Sequence, residues 1–407
     1  MLKIVIFYNL KGYLIRMLFK FFLSLWVFFY FKGVLKLGFM QYKNIRFDRS
    51  QNVEFYKTLQ RRVRGYFKEN NISRYGNSAM VLKSIFMIAL YLVPFTLMLT
   101  VVESTWLMLI MWVLMGFGMS GIGLSIMHDA NHGAYSKNKR VNTFFSLLLH
   151  LAGGSDVMWR IQHNVLHHTY TNVTGMDEDI DPGSVLRFSP HEERKPIHKY
   201  QHVYAWFLYG MMTLLWITVK DFKQIMRYHK MGLTQTQTNS FKRLLINTIL
   251  SKVAYYAVFL VLPLIFTPVP WYFIVLGFIL MHYISGVILG SIFQPAHVVL
   301  SASYPMPDES GNIKADWAVS QLLNTSNFAP KSKLFSWYVG GLNFQIEHHL
   351  FPNICHVHYK KISKIVRETA EEFNLPYNSE KTFAGALKSH TQMLKQLGRQ
   401  DNMNSAD

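Results

Sequence analysis

Cysteine is almost absent from this chain: Cys355 is the one example in 407 residues. No disulfide can form within the chain, so packing alone holds the fold. Charge is scarce too, at 16% against about a quarter in soluble proteins. Acidic side chains are scarcest: 23 Asp and Glu stand against 42 Lys and Arg, for a net charge of +19. Nothing resembles a nucleic-acid-reading motif, so the excess is read as one face of a membrane protein meeting anionic lipid. The zinc-protease pattern H-E-x-x-H is missing, because HEERK at 191–195 ends in Lys195. The Glu-x-x-His pattern of soluble di-iron bundles is missing as well.

Apolar runs are what the chain has in abundance, with 50% hydrophobic residues. A membrane-crossing helix needs roughly 20 mostly apolar residues. Four stretches qualify: Ser84 to Val102, Trp106 to Met127, Leu244 to Phe266 and Trp271 to Phe293. The linkers ESTW and TPVP carry neither Lys nor Arg, whereas the segments before the first and third stretches are rich in both. The positive-inside rule then predicts an all-α integral membrane protein with two transmembrane hairpins, both termini and the central region cytoplasmic. Lys252, within the first third of the third stretch, is expected to snorkel. Two shorter runs, Val141 to Leu151 and Tyr204 to Val219, are expected to lie at the interface. Residues 1–40 form an apolar and basic extension of uncertain role, either an interfacial anchor or sequence ahead of a true start at Met40. Residues 41–407 read as a single domain, with 301–330 and 397–407 loop-like.

Histidine is the other abundance, with 17 in the chain. His128 and His132 form HDANH just after the second span; His163, His167 and His168 form HNVLHH. His297 ends QPAH just after the fourth span, and His348 and His349 close QIEHH behind Gln345. Positions i and i+4 share a helix face, so each cluster aims two or three side chains at one point. The second and fourth spans run in the same direction, which puts both adjoining histidine sets on the cytoplasmic side. Eight imidazoles exceed the four ligands of a structural zinc and fit two metal ions, with iron and copper both allowed by ligand type. The expected architecture is thus four spans, interfacial helices and a cytoplasmic helical cap holding a di-metal site.

HDANH, HNVLHH and QIEHH resemble the three histidine boxes of the membrane-bound fatty acid desaturases, a likeness that covers roughly residues 45–385. Gln345 at the head of the third box resembles the front-end branch, such as acyl-CoA Δ6 or linoleoyl-CoA desaturases. The resemblance implies two non-haem iron ions, O2 as oxidant and two electrons per turnover. It implies His128, His132, His163, His167, His168, His297, His348 and His349 as ligands, with Gln345 lining the site. The H-P-G-G haem motif of fused cytochrome b5 domains is absent, so a separate donor is expected, cytochrome b5 or a ferredoxin with its reductase. The acyl substrate is expected on CoA, acyl carrier protein or phospholipid.

Breaking an unactivated C–H bond is beyond acid–base side chains and needs a metal–oxygen oxidant. Imidazole ligands need neighbouring hydrogen-bond acceptors to orient them. Asp129 is one candidate; the run Asp177, Glu178, Asp179 and Asp181 is another, or else a solvated acidic loop. Trp159 is read as a packing residue, the alternative being that it covers the site or contacts substrate, and His282 as either functional or bonded to a neighbouring helix. His356 and His358 are expected near the site without ligating. The rival functions are a lipid hydroxylase or oxygenase on the same scaffold, and a histidine-rich metal transporter.

Overall fold

The computed structural model describes residues 45–48, 52–237 and 240–400, and its regular structure is helical apart from four two-residue strands. The expected N-terminal extension, residues 1–40, lies outside the described residues. Among the described residues, four helices are long and apolar enough to cross a membrane. After α1 (Val53–Glu69) they are α2 (Ser78–Thr100) and α3 (Thr105–Asn131), then, later in the chain, Phe241–Phe266 and Trp271–His297. Asn77 and Ser104 cap α2 and α3 by accepting from the Met80 and Leu107 amides, so each helix begins where a side chain replaces a missing carbonyl.

The helices outlast the apolar runs. α3 and Trp271–His297 each have 27 residues. At 1.5 Å per residue that is about 40 Å, roughly 10 Å more than the hydrocarbon layer. The second span was expected to end at Met127 and the fourth at Phe293; both helices instead continue, through HDAN and through QPAH. Hydropathy marks only the part inside lipid, so the continuation left no apolar signal.

Between the two hairpins the chain forms α4 (Lys139–Ser146), α5 (Asp156–Arg160), α6 (Pro196–Gly210) and α7 (Met212–Lys230). α4 exposes Phe144, and Leu147 just beyond it is exposed too, as an interfacial segment requires. The run 204–219 is not one straight helix: α6 and α7 meet at a 58° bend. The third and fourth spans are α8 (Phe241–Phe266) and α9 (Trp271–His297).

α3 packs along both α2 and α9. Small residues permit the approach. A methyl group at Gly118 would lie 2.6 Å from the Tyr91 backbone nitrogen, and one at Gly277 would lie 2.0 Å from Trp112 Cδ1. Apolar residues on the outer faces, among them Leu82, Ile85, Trp106, Ile110 and Leu250, are exposed as lipid contact demands.

Lys252 does not snorkel. It is buried, and its Nζ donates to Asp221 Oδ2 at 2.5 Å, to the Trp216 carbonyl at 2.8 Å and to the Gly153 carbonyl. Asp221 comes from α7, so the ammonium finds a counter-charge inside the protein and has no need of the membrane surface.

The remaining helices build a cap over the histidine-bearing ends of α3 and α9. They are α10 (Trp317–Asn324), α11 (Lys333–Tyr338), α12 (Gln345–Leu350), α13 (Tyr359–Glu372) and α14 (Phe383–Leu397). Phe55, Leu59 and Val63 of α1 pack with Leu322, Ile346, Leu350, Ile362 and Val366 in its core. Residues 301–330 are therefore not all loop. They include α10 and Asn312–Ile313, which pairs in parallel with Arg46–Phe47.

Candidate metal centre

Two stretches of widened helical backbone aim the histidines. In α3 the turns at Ile122–Met127 open just before His128. The second begins at Ile161 and runs through His167, and the His168 amide donates to the His163 carbonyl, an i to i+5 bond. Such turns are rare and cluster at functional sites. HNVLHH therefore does not follow the backbone hydrogen bonding of a regular helix. The wider turn still keeps its three imidazoles side by side, with ring centroids 5.1 Å apart for His163 and His167, 4.7 Å for His163 and His168, and 5.6 Å for His167 and His168.

The structure brings all eight predicted histidines together. His128, His132, His163 and His348 offer ring nitrogens that lie within 4.8 Å of one another, and so do His167, His297 and His349. His168 joins His348 and His349 in a third set that links the two groups. All are buried except His132, which is partly covered. Trp159 lies over one side, its ring 4.4 Å from that of His163.

Ring nitrogens meet head to head. His128 Nε2 is 3.3 Å from His163 Nε2; His168 Nε2 is 3.2 Å from His163 Nε2 and 3.0 Å from His348 Nε2. Two nitrogens bound at roughly 2.1 Å and at right angles to one ion lie about 3.0 Å apart, so these separations suit a shared cation. Among the described residues, His132 Nε2 and His349 Nε2 find no hydrogen-bond partner. Buried polar atoms are costly when unpaired, and a metal ion satisfies them. Burial and neighbouring imidazoles hold His132, His163, His168, His348 and His349 well below the usual imidazole range, which leaves them neutral with a free lone pair.

Four far nitrogens are anchored, those of His167, His297, His348 and His349, whereas Nδ1 of His128 and of His168 has no hydrogen-bond partner among the described residues. His167 Nδ1 lies 3.0 Å from both oxygens of Asp177, which also accepts from the Asn172 and Asp179 amides at 2.9 Å. Burial opposes charge on His167, yet Asp177 and Asp179 raise its pKa to about 9. The acidic run divides: Asp177 and Asp179 face His167, while Glu178 pairs with Gln224 and Arg227. His348 Nδ1 lies 3.2 Å from Tyr359 Oη, His297 Nδ1 lies 3.3 Å from the Asn324 carbonyl, and His349 Nδ1 lies 2.8 Å from Gln321 Oε1. Tyr359, Asn324 and Gln321 carried no sequence signal, being ordinary polar residues on helices without a motif.

Asp129 turns mainly the other way. Its Oδ2 accepts from the backbone and Nδ1 of His356, at 3.1 and 2.8 Å, while its Oδ1 is 3.8 Å from His128 Nδ1. Lys83 Nζ lies 2.7 Å from His356 Nε2, so an ammonium supplies the positive charge beside Asp129, His356 and Cys355. Gln345 begins α12, buried, with its Nε2 unpartnered among the described residues. His358 bonds the Tyr75 carbonyl, and His282 is satisfied inside the membrane by Tyr255 and Thr213.

The sequence profile of the fatty acid desaturases matches residues 104–381, a range that contains all eight histidines. The chain belongs to the fatty acid desaturase family. An sn-1 linoleoyl-lipid 6-desaturase of Arthrospira platensis is 36% identical over 353 residues, covering 85% of this chain and 93% of the relative. An acyl-lipid (8-3)-desaturase of Physcomitrium patens is also 36% identical, covering 86% of this chain and 72% of the relative. A second sn-1 linoleoyl-lipid 6-desaturase, from Synechocystis sp., is 32% identical and covers 86% and 97%. This desaturase is accordingly a membrane oxidoreductase acting on acyl chains, and the hydroxylase and transporter readings are not favoured.

Proposed function

We propose that this protein is a front-end desaturase that inserts a cis double bond between an existing double bond and the carboxyl end of a lipid-bound acyl chain. The observation that carries the reading is the pair of histidine groups, seven imidazoles plus the linking His168, buried where α3 and α9 emerge from the bundle. In this reading His128, His132, His163 and His348 hold one iron ion, and His167, His297 and His349 hold another, with His168 between them. Gln345 lines the site and Asp129 supports it from behind. Bound there, the ions supply the O2-dependent oxidation that a methylene C–H bond demands.

The protein's own residues do the rest. Neutral imidazoles offer lone pairs, while His167, held charged beside Asp177, would give up its Nε2 proton as the ion binds and keep its Nδ1 proton on that carboxylate. Gln321 and Tyr359 fix the rings of His349 and His348, and Trp159 helps exclude water. The electrons balance: O2 becomes two waters with two electrons from the broken C–H bonds and two from a donor. The front-end assignment is supported by Gln345 and by relatives named 6- and (8-3)-desaturases. An acyl-lipid substrate is supported by the same names.

The test is expression in a host fed defined fatty acids, with gas chromatography and derivatisation to locate the bond. A new bond on the carboxyl side of an existing one is expected in the lipid fraction. Hydroxylated product, or none from metal-loaded protein, overturns the reading. Asp177→Ala is expected to weaken retention of the ion nearest His167 on the order of 10–100-fold, read as metal content after dialysis against a chelator.

Sidedness and donor belong to the same proposal. A cytoplasmic site is supported by the Lys and Arg that flank the histidine-bearing side of the spans and are absent from the linkers ESTW and TPVP. A basic surface favours an acidic one-electron donor, cytochrome b5 or a ferredoxin. Reduction by either is expected to slow as ionic strength rises from 0.01 to 0.5 M, roughly as the Debye length shrinks. An unchanged rate removes the charge argument.

A further inference from the structure

One helix that contributes no histidine holds three of the histidine-bearing segments at once. α10 presents Trp317, Gln321 and Asn324 on one face, at i, i+4 and i+7. Trp317 Nε1 donates to the His168 carbonyl at 3.1 Å. Asn324 Nδ2 donates to the Thr171 carbonyl at 2.8 Å, and the Asn324 carbonyl accepts from His297 Nδ1 at 3.3 Å. Between them Gln321 Oε1 lies 2.8 Å from His349 Nδ1 and 2.9 Å from Thr171 Oγ1. Gln321 is fully buried, so water does not compete for that oxygen.

With the Gln321 amide oxygen turned toward His349, and Nε2 of that ring without a hydrogen-bond partner among the described residues, the contact runs one way. The oxygen accepts, His349 carries its proton on Nδ1 and its lone pair is on Nε2. Thr171, one turn beyond His167, lies against the same amide oxygen and donates its hydroxyl there or to the His167 carbonyl at 2.7 Å. The second and third boxes are thereby tied through a single side chain.

We infer that Gln321 is a positioning residue that sets the tautomer and ring direction of His349 for metal ligation, with α10 as the template that registers His168, His297 and His349 against one another. The inference rests on the metal reading above.

Anaerobic titration of the metal-free full chain in detergent with Fe(II), and separately with Co(II), tests it. Gln321→Met keeps the volume and removes the acceptor; Gln321→Asn keeps an amide but draws it out of reach; Gln321→Glu keeps the acceptor. Met and Asn are expected to weaken one of the two ions on the order of 10–100-fold and to shift the Co(II) absorption of that ion alone. Glu is expected to retain parental affinity and spectrum. The thermal midpoint of the metal-free Asn variant is expected to match the parent, which separates positioning from packing. Parental binding of both ions by the Met variant overturns the inference, as does a loss in the Glu variant equal to that in Met. Should the Met variant not fold, the Asn and Glu pair decides on the same terms. A parent chain that binds no metal overturns the metal reading itself, a different result from any of these.

Discussion

His349→Ala is expected to abolish double-bond formation while the protein still inserts in the membrane. His349 belongs to the group with His167 and His297, and it also reaches the set formed with His168 and His348. Removing it leaves the smaller group two imidazoles and breaks the link to Gln321. Loss of a mere partner of a ligand costs about 10–100-fold in affinity or activity, so loss of the ligand itself is expected to exceed 100-fold. Gas chromatography of host lipids reads the activity, and fractionation with immunoblotting reads insertion. Metal content is expected to fall from two ions to one. Product above about a hundredth of the parent removes His349 from the ligand set.

The largest effect on stability is expected at Asp221. Its carboxylate is the counter-charge to Lys252 inside the third span, where the other two acceptors are backbone carbonyls. Asp221→Ala leaves an ammonium buried with no anion, a change that costs about 3–5 kcal/mol. Replacing both partners, Lys252→Met with Asp221→Leu, removes the stranded charge and is expected to recover most of that loss. Thermal unfolding in detergent, arranged as a double-mutant cycle, measures the coupling. A single Asp221→Ala variant no less stable than an exposed control such as Glu103→Ala contradicts the buried pair.

The spans were readable because hydrocarbon imposes a length and a composition, and the boxes because imidazole at close spacing has few other uses. Information thinned where the bilayer ended. Beyond Met127 and Phe293 the helices continue for reasons of hydrogen bonding and cap contact, which hydropathy does not register. α10 went unseen for a related reason. Ser320 and Asn324 are indifferent helix formers that look like loop, and tertiary contacts override that preference. The widened turns at Ile122–Met127 and Ile161–His167 left no compositional trace, so the regular-helix backbone assumed for HNVLHH differs, although His163 and His167 do pair as the i, i+4 spacing implied. Lys252 was misread because its partner lies 31 residues earlier, in the basic segment before the third span, just past the run 204–219 taken as interfacial.

Both histidine groups draw a member from α12: His348 completes one and His349 the other. Neither group therefore exists while the ribosome is still translating the region before residue 348, although His128 and His163 have long since left the exit tunnel. The nascent polypeptide lacks a complete histidine group until α12 has been made. Acquisition of metal is consequently a late event in the life of each molecule, after its anchoring hairpins are in place, and any chain cut short ahead of α12 is released without a usable centre.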